Sequence, residues 1–425
     1  MVLWNHSILP EVAMTSKPAY KIYLIYAGVS AFLFEMVFTV NELYRIEIAG
    51  FNAMQLVLVG TALELSTFLF EIPTGVLADL KSRKLSVVIG LCLIGLGFFL
   101  EGLFPNFLFI FLSQVVWGIG YTFISGADEA WITDELGGRG LEKVFLRGAQ
   151  VGQVGALLAI IISTLIGTIM INLPLLIGGA LFIVLGLFLL RFMPETAFTP
   201  AITQNRGPAN QMVHIFTQGL KSIKKKHFLI VMMAVTFFYG LYSEGLDRLW
   251  IAHIIDNVKL PAIVVPPIVW VGLINGTAMV TSIAAVEYIK RRLARTGKLQ
   301  KVWLLTAINS GMLLAIVSFA VARNFPLAAS TYLTYYILRT TNGPIYRAWL
   351  NESIEPGVRA TVLSTYGQLN SLGQIISGPL IGFIALKTSI SISLVVSGLI
   401  LTPVVILYLH LHRRACKPPT SSMSP

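Results

Sequence analysis

Residues Leu173–Met193 read LPLLIGGALFIVLGLFLLRFM, with no charged side chain between Leu173 and Leu190. A helix rises about 1.5 Å per residue, so a run of this length crosses the roughly 30 Å of hydrocarbon in a bilayer. Reading outward from it, the chain divides into twelve such runs. They lie near 20–43, 52–77, 85–104, 107–131, 144–170 and 173–193, then 227–255, 262–289, 301–322, 325–350, 358–386 and 389–411. The expected fold is an all-α membrane protein with twelve transmembrane helices in contact with lipid.

Composition points the same way. Of the 425 residues, 56% are hydrophobic and 12% charged, and the mean hydropathy is +0.78. A soluble domain carries about 25% charged residues, and a chain this apolar has too few polar side chains to cover a water-facing surface. The net charge of +11 does not indicate a nucleic-acid partner. The basic residues fill short segments between apolar runs and form no aromatic-interleaved basic domain. Cys92 falls in an apolar run and Cys416 in the tail, which argues against a structural disulfide. Residues 1–19 are mixed and polar and lead into a run long enough to span, so no cleaved signal peptide is expected.

The longest polar segment, 194–226, holds Pro194, Pro200, Pro208 and the basic group Lys221, Lys224, Lys225 and Lys226. It divides the chain six-plus-six. The expected organisation is a cytoplasmic N-terminal segment 1–19, a six-helix half 20–193, a cytoplasmic central loop 194–226, a second half 227–411 and a cytoplasmic tail 412–425. With the N-terminus in the cytoplasm, 25 Lys and Arg residues fall on the inner side. Only Arg45, Lys259, Arg323 and Lys387 fall outside, the asymmetry expected when both termini are cytoplasmic.

The two halves repeat one another. At an offset of 218 residues, Asn106-Phe107 meets Asn324-Phe325, Ala130-Trp131 meets Ala348-Trp349, Asp134 meets Glu352, Gln150 meets Gln368 and Gly155 meets Gly373. At 209, Glu35 meets Glu244; at 208, Asp79 meets Glu287 and Arg83-Lys84 meets Arg291-Arg292. Tryptophan and charged residues matching in order indicate a duplication rather than chance identity between apolar segments.

The segment Gly75-Val-Leu-Ala-Asp79-Leu-Lys81-Ser82-Arg83-Lys84 resembles the major facilitator loop signature G-x-L-x-D-R-x-G-R-K/R. Leu80 and Ser82 stand where that signature has Arg and Gly, which predicts a different turn. The stretches Glu71-Ile-Pro73-Thr-Gly75, Ser125–Glu135 and Tyr242–Trp250 are similar to a bacterial branch of major facilitators of the drug or macrolide efflux type. The resemblance runs from residue 20 to 411. It implies two pseudo-symmetric six-helix halves around a midplane site. It also implies proton-driven export by a monomer in the bacterial plasma membrane, with no cofactor beyond the coupling proton. The Gly-Pro signature of many drug–proton antiporters is missing from the fifth run, where Gly148, Gly152 and Gly155 stand without a proline. A Gly378-Pro379 pair appears in the eleventh instead.

Charged groups inside a bilayer cost at least about 2.5–3.5 kcal/mol each, so they face a cavity or a partner. Glu35 and Glu244 occupy matching depths in the first and seventh runs, and the pseudo-symmetry has both lining a central cavity. Either is a candidate to bind the coupling proton and hold a cationic or polar substrate, since a desolvated carboxyl takes up a proton more readily than a hydrated one; a structural carboxyl bonded to a neighbouring helix is the alternative. Asp247 and Arg248 follow Glu244 at helical spacings of three and four. A Glu244–Arg248 pair would keep Glu244 ionised and favour Glu35 as the proton site. Arg339, mid-run in the tenth, needs an acid from another helix, with Asp247, Glu244 and Glu64 as candidates.

Glu71, Asp79, Asp128, Glu129, Asp134 and Glu135 cluster toward the inner ends of the second and fourth runs, with Arg83, Lys84 and Arg147 near in sequence. The resemblance makes these, with Gly75, a conformational gate whose charge network biases a bistable interface. Ordinary interfacial charge is the alternative. Phe32, Phe38, Tyr121, Tyr239, Tyr242, Tyr335 and Tyr336 are candidates to line a cavity for a hydrophobic substrate, although aromatics at helical spacing also pack against helices and lipid. Gly90, Gly95 and Gly97 read as close helix packing.

The chain holds no phosphate-binding Walker loop, no metal-ligating histidine spacing and no intramembrane nucleophile constellation, so an enzyme is not expected. The leading function is proton-coupled export of hydrophobic or cationic small molecules. An importer or uniporter of a small metabolite keeps the same fold. A sensor or membrane scaffold would need a soluble signalling domain, which the short loops do not provide.

Overall fold

The computed structural model describes residues 17–138, 140–200, 227–293, 298–354 and 359–415. Most of the expected segment 1–19, most of the central loop and most of the tail lie outside the described residues, as do Arg139 and Arg295.

The first six runs form eight helices: α1 (Lys17–Phe38), α2 (Asn41–Glu47), α3 (Ala53–Leu80), α4 (Arg83–Leu103), α5 (Phe107–Ile124), α6 (Ala127–Glu135), α7 (Leu141–Gly167) and α8 (Leu173–Phe192). The last six form seven: α9 (His227–Asn257), α10 (Pro267–Leu293), α11 (Lys298–Val321), α12 (Phe325–Ser353), α13 (Arg359–Lys387), α14 (Ile390–Leu399) and α15 (Thr402–Ala415). Beyond helices, the described residues hold one isolated bridge, Lys259 with Asn324. Eleven described stretches are long and apolar enough to cross a membrane. The tenth expected span, α12, has the length at 29 residues but carries Arg339, Arg347 and many hydroxyl and amide groups.

Three runs read as single helices are broken. α1 stops at Phe38, and the chain turns before α2, where Arg45, expected on the outer side, is fully buried. The fourth run breaks at Gly126, whose φ of 76° is open to a residue without Cβ. The last breaks before Pro403, which has no N–H to continue the ladder from α14.

The chain gathers into two compact units. One comprises Met1–Tyr44 with Leu69–Ala209, the other Arg45–Phe68 with Asn210–Pro425. The first half of α3 therefore packs with the second set of helices. Within the first unit, α4 packs on α5 and α8, and α1 packs on α7. Within the second, α11 packs on α12 and on α14 and α15, and α9 packs on α13. Counted as runs, these are three-on-four, three-on-six and one-on-five, then nine-on-ten, nine-on-twelve and seven-on-eleven. The same scheme is built twice.

The repeat noticed in sequence has local causes. Asn106 and Asn324 are both N-caps, accepting from the backbone N–H of Phe109 at 3.1 Å and Leu327 at 3.0 Å. Gly155 of α7 passes against the Gly28 carbonyl of α1, and its match Gly373 of α13 lies against Phe237 and Gly240 of α9. With little hydrophobic drive between helices in lipid, such close approach supplies the packing. A Cβ on Gly95 would stand 2.5 Å from the Gly179 carbonyl oxygen, with backbone on both sides. Gly95→Val is expected to destabilise the protein by about 1–3 kcal/mol, read as a lower unfolding midpoint in detergent.

Candidate functional site

Two clusters of charge lie in the membrane-spanning helices, one in each unit. In the first unit α3 ends at Leu80 and Ser82, extended, caps α4 by accepting from Leu85 N–H at 2.9 Å. The serine standing at the signature's glycine position thus makes the turn by capping. This places Arg83 in the first turn of α4. Its guanidinium pairs with Asp134 of α6, donates to the Ala130 carbonyl at 2.8 Å and lies 3.7 Å from Asp79.

Glu71 accepts from Ser125 at 2.8 Å, where the fourth run breaks, and Asp128 accepts from Tyr26 of α1 at 3.0 Å. Glu129 beside it is exposed, and Gly75 lies inside α3 facing open space. Arg147 does not join the group; it is exposed and donates to Gln150 at 3.1 Å.

The chain after α8 is built into this cluster. Glu195 accepts from Ser82 Oγ at 2.6 Å and from Lys84 N–H at 2.9 Å. Glu135 accepts from Thr196 and Ala197 N–H at 2.6 and 2.9 Å. Trp131 Nε1 donates to the Pro194 carbonyl, and Phe198 lies under the Arg83 guanidinium at 5.9 Å. No periodicity marks residues 194–198, so no sequence signal could find them.

Higher in the same unit, Glu35 of α1 is half-buried. Among the described residues of its unit no side chain bonds or ion-pairs with its carboxylate; its backbone carbonyl accepts from Thr39. Phe38, one turn on, joins Phe34, Phe98 and Trp117 in an aromatic group, and Tyr121 stacks on Trp117.

The second unit holds the denser arrangement. Glu244 of α9 is buried, with 1% of its side chain exposed, and accepts from Arg248 Nε one turn on at 3.2 Å. Gly60 of α3 passes so close that a Cβ there would meet both groups. With its amide nitrogen turned to the carboxylates, Gln374 of α13 donates to Glu244 Oε2 at 3.2 Å and Glu64 Oε1 at 3.3 Å. Glu64 also bonds Ser371.

Arg339 chooses Asp247 among its three candidate partners. The bond is bidentate, Nη1 to Oδ1 and Nη2 to Oδ2 at 2.8 Å, the strongest geometry for this pair. Tyr335 accepts from Arg339 at 2.9 Å. Tyr242 is buried, and Tyr239 bonds Asn309, which donates to Asn342 at 3.0 Å. Gln374, Asn309 and Asn342 escaped notice as site residues, though amides inside apolar runs were a legible signal.

Acids and arginines paired far inside apolar helices mark a membrane protein that moves solutes. The chain belongs to the Major Facilitator Superfamily, whose sequence profile matches residues 23–378. Among relatives, it is 22% identical over 363 residues to an uncharacterized MFS-type transporter, YxaM, of Bacillus subtilis (strain 168), covering 84% of this chain and 87% of that protein. The fold matches the crystal structure of the nucleoside transporter NupG, with TM-score 0.72, 16% identity and coverage of 94% of this chain and 99% of that one. It also matches a POT family transporter in complex with 5-aminolevulinic acid, with TM-score 0.74, 11% identity and coverage of 94% and 96%. The chain is thus a multi-pass membrane transporter of the facilitator type and not an enzyme.

Removing one partner of a buried ion pair costs more than removing both. Glu244→Gln should destabilise the protein by on the order of 3 kcal/mol, and adding Arg248→Met should recover most of the lost unfolding midpoint.

Proposed function

We propose that the protein is a proton-coupled exporter of small cationic or hydrophobic molecules, working by alternating access as a monomer in the bacterial plasma membrane, with both termini cytoplasmic. The observation that carries the coupling is Glu35. It sits on a membrane-spanning helix, partly accessible, and no described side chain of its unit bonds to it. Such a carboxyl takes up and releases a proton without breaking an ion pair, whereas Glu244 does so only by unmaking its bond to Arg248. Glu35 is then the proton carrier. Glu244, Asp247, Arg248 and Arg339 shape the substrate side, with Tyr239, Tyr242 and Tyr335 beside them.

The cluster of Asp79, Arg83, Asp134, Glu71 and Asp128, with Glu129, Lys84 and Gly75 around it, serves as the gate. Its bonds are charge-assisted and few, so a modest change in geometry shifts the balance between two states. Phe38 and Tyr121, both partly exposed in their aromatic group, suit a substrate with an apolar body. Import of a polar metabolite is the second reading, favoured by the solvent-open Asp247–Arg339 pair.

The test is transport in proteoliposomes under an imposed pH gradient, with a panel of lipophilic cations. Wild type should accumulate substrate only with the gradient, and Glu35→Gln should abolish gradient dependence while leaving downhill exchange. Movement indifferent to both gradient and substitution overturns proton coupling. Asp134→Asn, which weakens the Arg83 anchor, should slow exchange at least tenfold at unchanged substrate affinity, since about 1.4 kcal/mol in a barrier is tenfold in rate.

A further inference from the structure

Helices α9 and α12 approach each other along little of their length, unlike α9 and α13. Long side chains span the space between them. At one level Trp250 stacks on Tyr332 with ring centroids 4.4 Å apart; at another Phe228 meets Trp349 at 4.8 Å, and Tyr346 donates to the Met232 carbonyl at 2.6 Å. Between these aromatic levels lies the Asp247–Arg339 pair. Arg339 stands at the middle of a 29-residue helix, about 21 Å from either end.

Both charges point inward. Ala328, Tyr332, Tyr335, Asn342, Tyr346 and Trp349 of α12 are buried, and Arg339 falls in their three-and-four spacing. Asp247 shares a face of α9 with the buried Ser243, Trp250 and Ile254. Yet 36% of the Arg339 side chain and 35% of the Asp247 side chain are solvent-accessible. An inward-facing pair that stays a third open borders a cleft rather than a packed core. It offers, side by side, a fork for an anion and a carboxylate for a cation.

A ligand with one charge would take one partner and strip the other of its counter-ion at mid-bilayer depth. A ligand with both charges replaces both bonds at once and leaves neither group unpaired. We propose that this cleft binds a small zwitterion, its carboxylate on Arg339 and its ammonium on Asp247. The inference rests on the chain's being a transporter, and names a substrate that carries an anion as well as the cation already proposed; it does not depend on which carboxyl carries the proton.

The experiment uses the full chain in lipid nanodiscs and reads ligand-induced shifts of the unfolding midpoint and equilibrium competition. The probes are the neutral L-amino acids and their dipeptides, each beside its amine-only and acid-only analogue, as phenylalanine beside phenethylamine and 3-phenylpropionate. The expected result is binding of at least one zwitterion, with both of its analogues roughly tenfold weaker or worse, as for any site left with an unpaired polar group. Asp247→Asn should lose the preference and retain the acid analogue, and Arg339→Gln should retain the amine. The reversed pair Asp247→Arg/Arg339→Asp restores the bond and keeps a readout should either single variant fail to fold. Zwitterion binding should return in it. Binding of amines equal to zwitterions in wild type, binding of no zwitterion, or zwitterion preference surviving both single variants overturns the inference. Gradient-driven movement of lipophilic cations would stand untouched by any of these.

Discussion

A bilayer has no water at its centre to solvate a backbone amide or a charged side chain, and every feature of this protein answers to that constraint. Backbone groups are satisfied within helices. Helices meet through glycine, because in lipid the drive to associate is contact rather than exclusion of water. The charges that remain inside are held by one another: Arg83 by Asp134, Glu244 by Arg248, Asp247 by Arg339. Other acids of the first unit take neutral donors instead, Glu71 from Ser125, Asp128 from Tyr26 and Glu101 from Gln114, and among the described residues of its own unit no side chain bonds to the Glu35 carboxylate.

The duplicated packing shows how one solution serves two halves. A capping asparagine begins the fourth and tenth runs, and a glycine of the fifth and eleventh seats its helix on the first and seventh. The halves then diverge in polarity. The first unit concentrates its charge in α3, α4 and α6, where the chain after α8 is bonded into the cluster. The second concentrates it at mid-span, where α9 and α12 leave room. The duplication supplies a frame, and the side chains hung on it set one charge cluster around the ends of α3, α4 and α6 and the other at mid-span of α9 and α12.

The sequence was most legible where physics is local. Apolar runs of about twenty residues gave span positions to within a few residues, because hydrocarbon thickness fixes their length. The Glu244–Arg248 pair was readable because residues four apart on a helix must meet. Breaks at Thr39, Gly126 and Ile400 were missed, since hydropathy is blind to a turn between two apolar stretches. The place of Glu195 and Phe198 was invisible for the same reason in reverse, as a polar segment carries no period to say what it touches.

Sequence alone therefore determined the class of protein, the approximate positions of its apolar runs, the repeat, and which charges must be rationalised inside the membrane. These follow from composition and from contacts within one helix. Only the tertiary structure decided that Arg339 takes Asp247 rather than Glu244 or Glu64, that Gln374 bridges Glu64 and Glu244, and that the first half of α3 packs with the second set of helices. Each choice depends on which faces two helices turn toward each other and at what height. Glycine seats and side-chain volume set those along the whole interface, and no single stretch of sequence contains them.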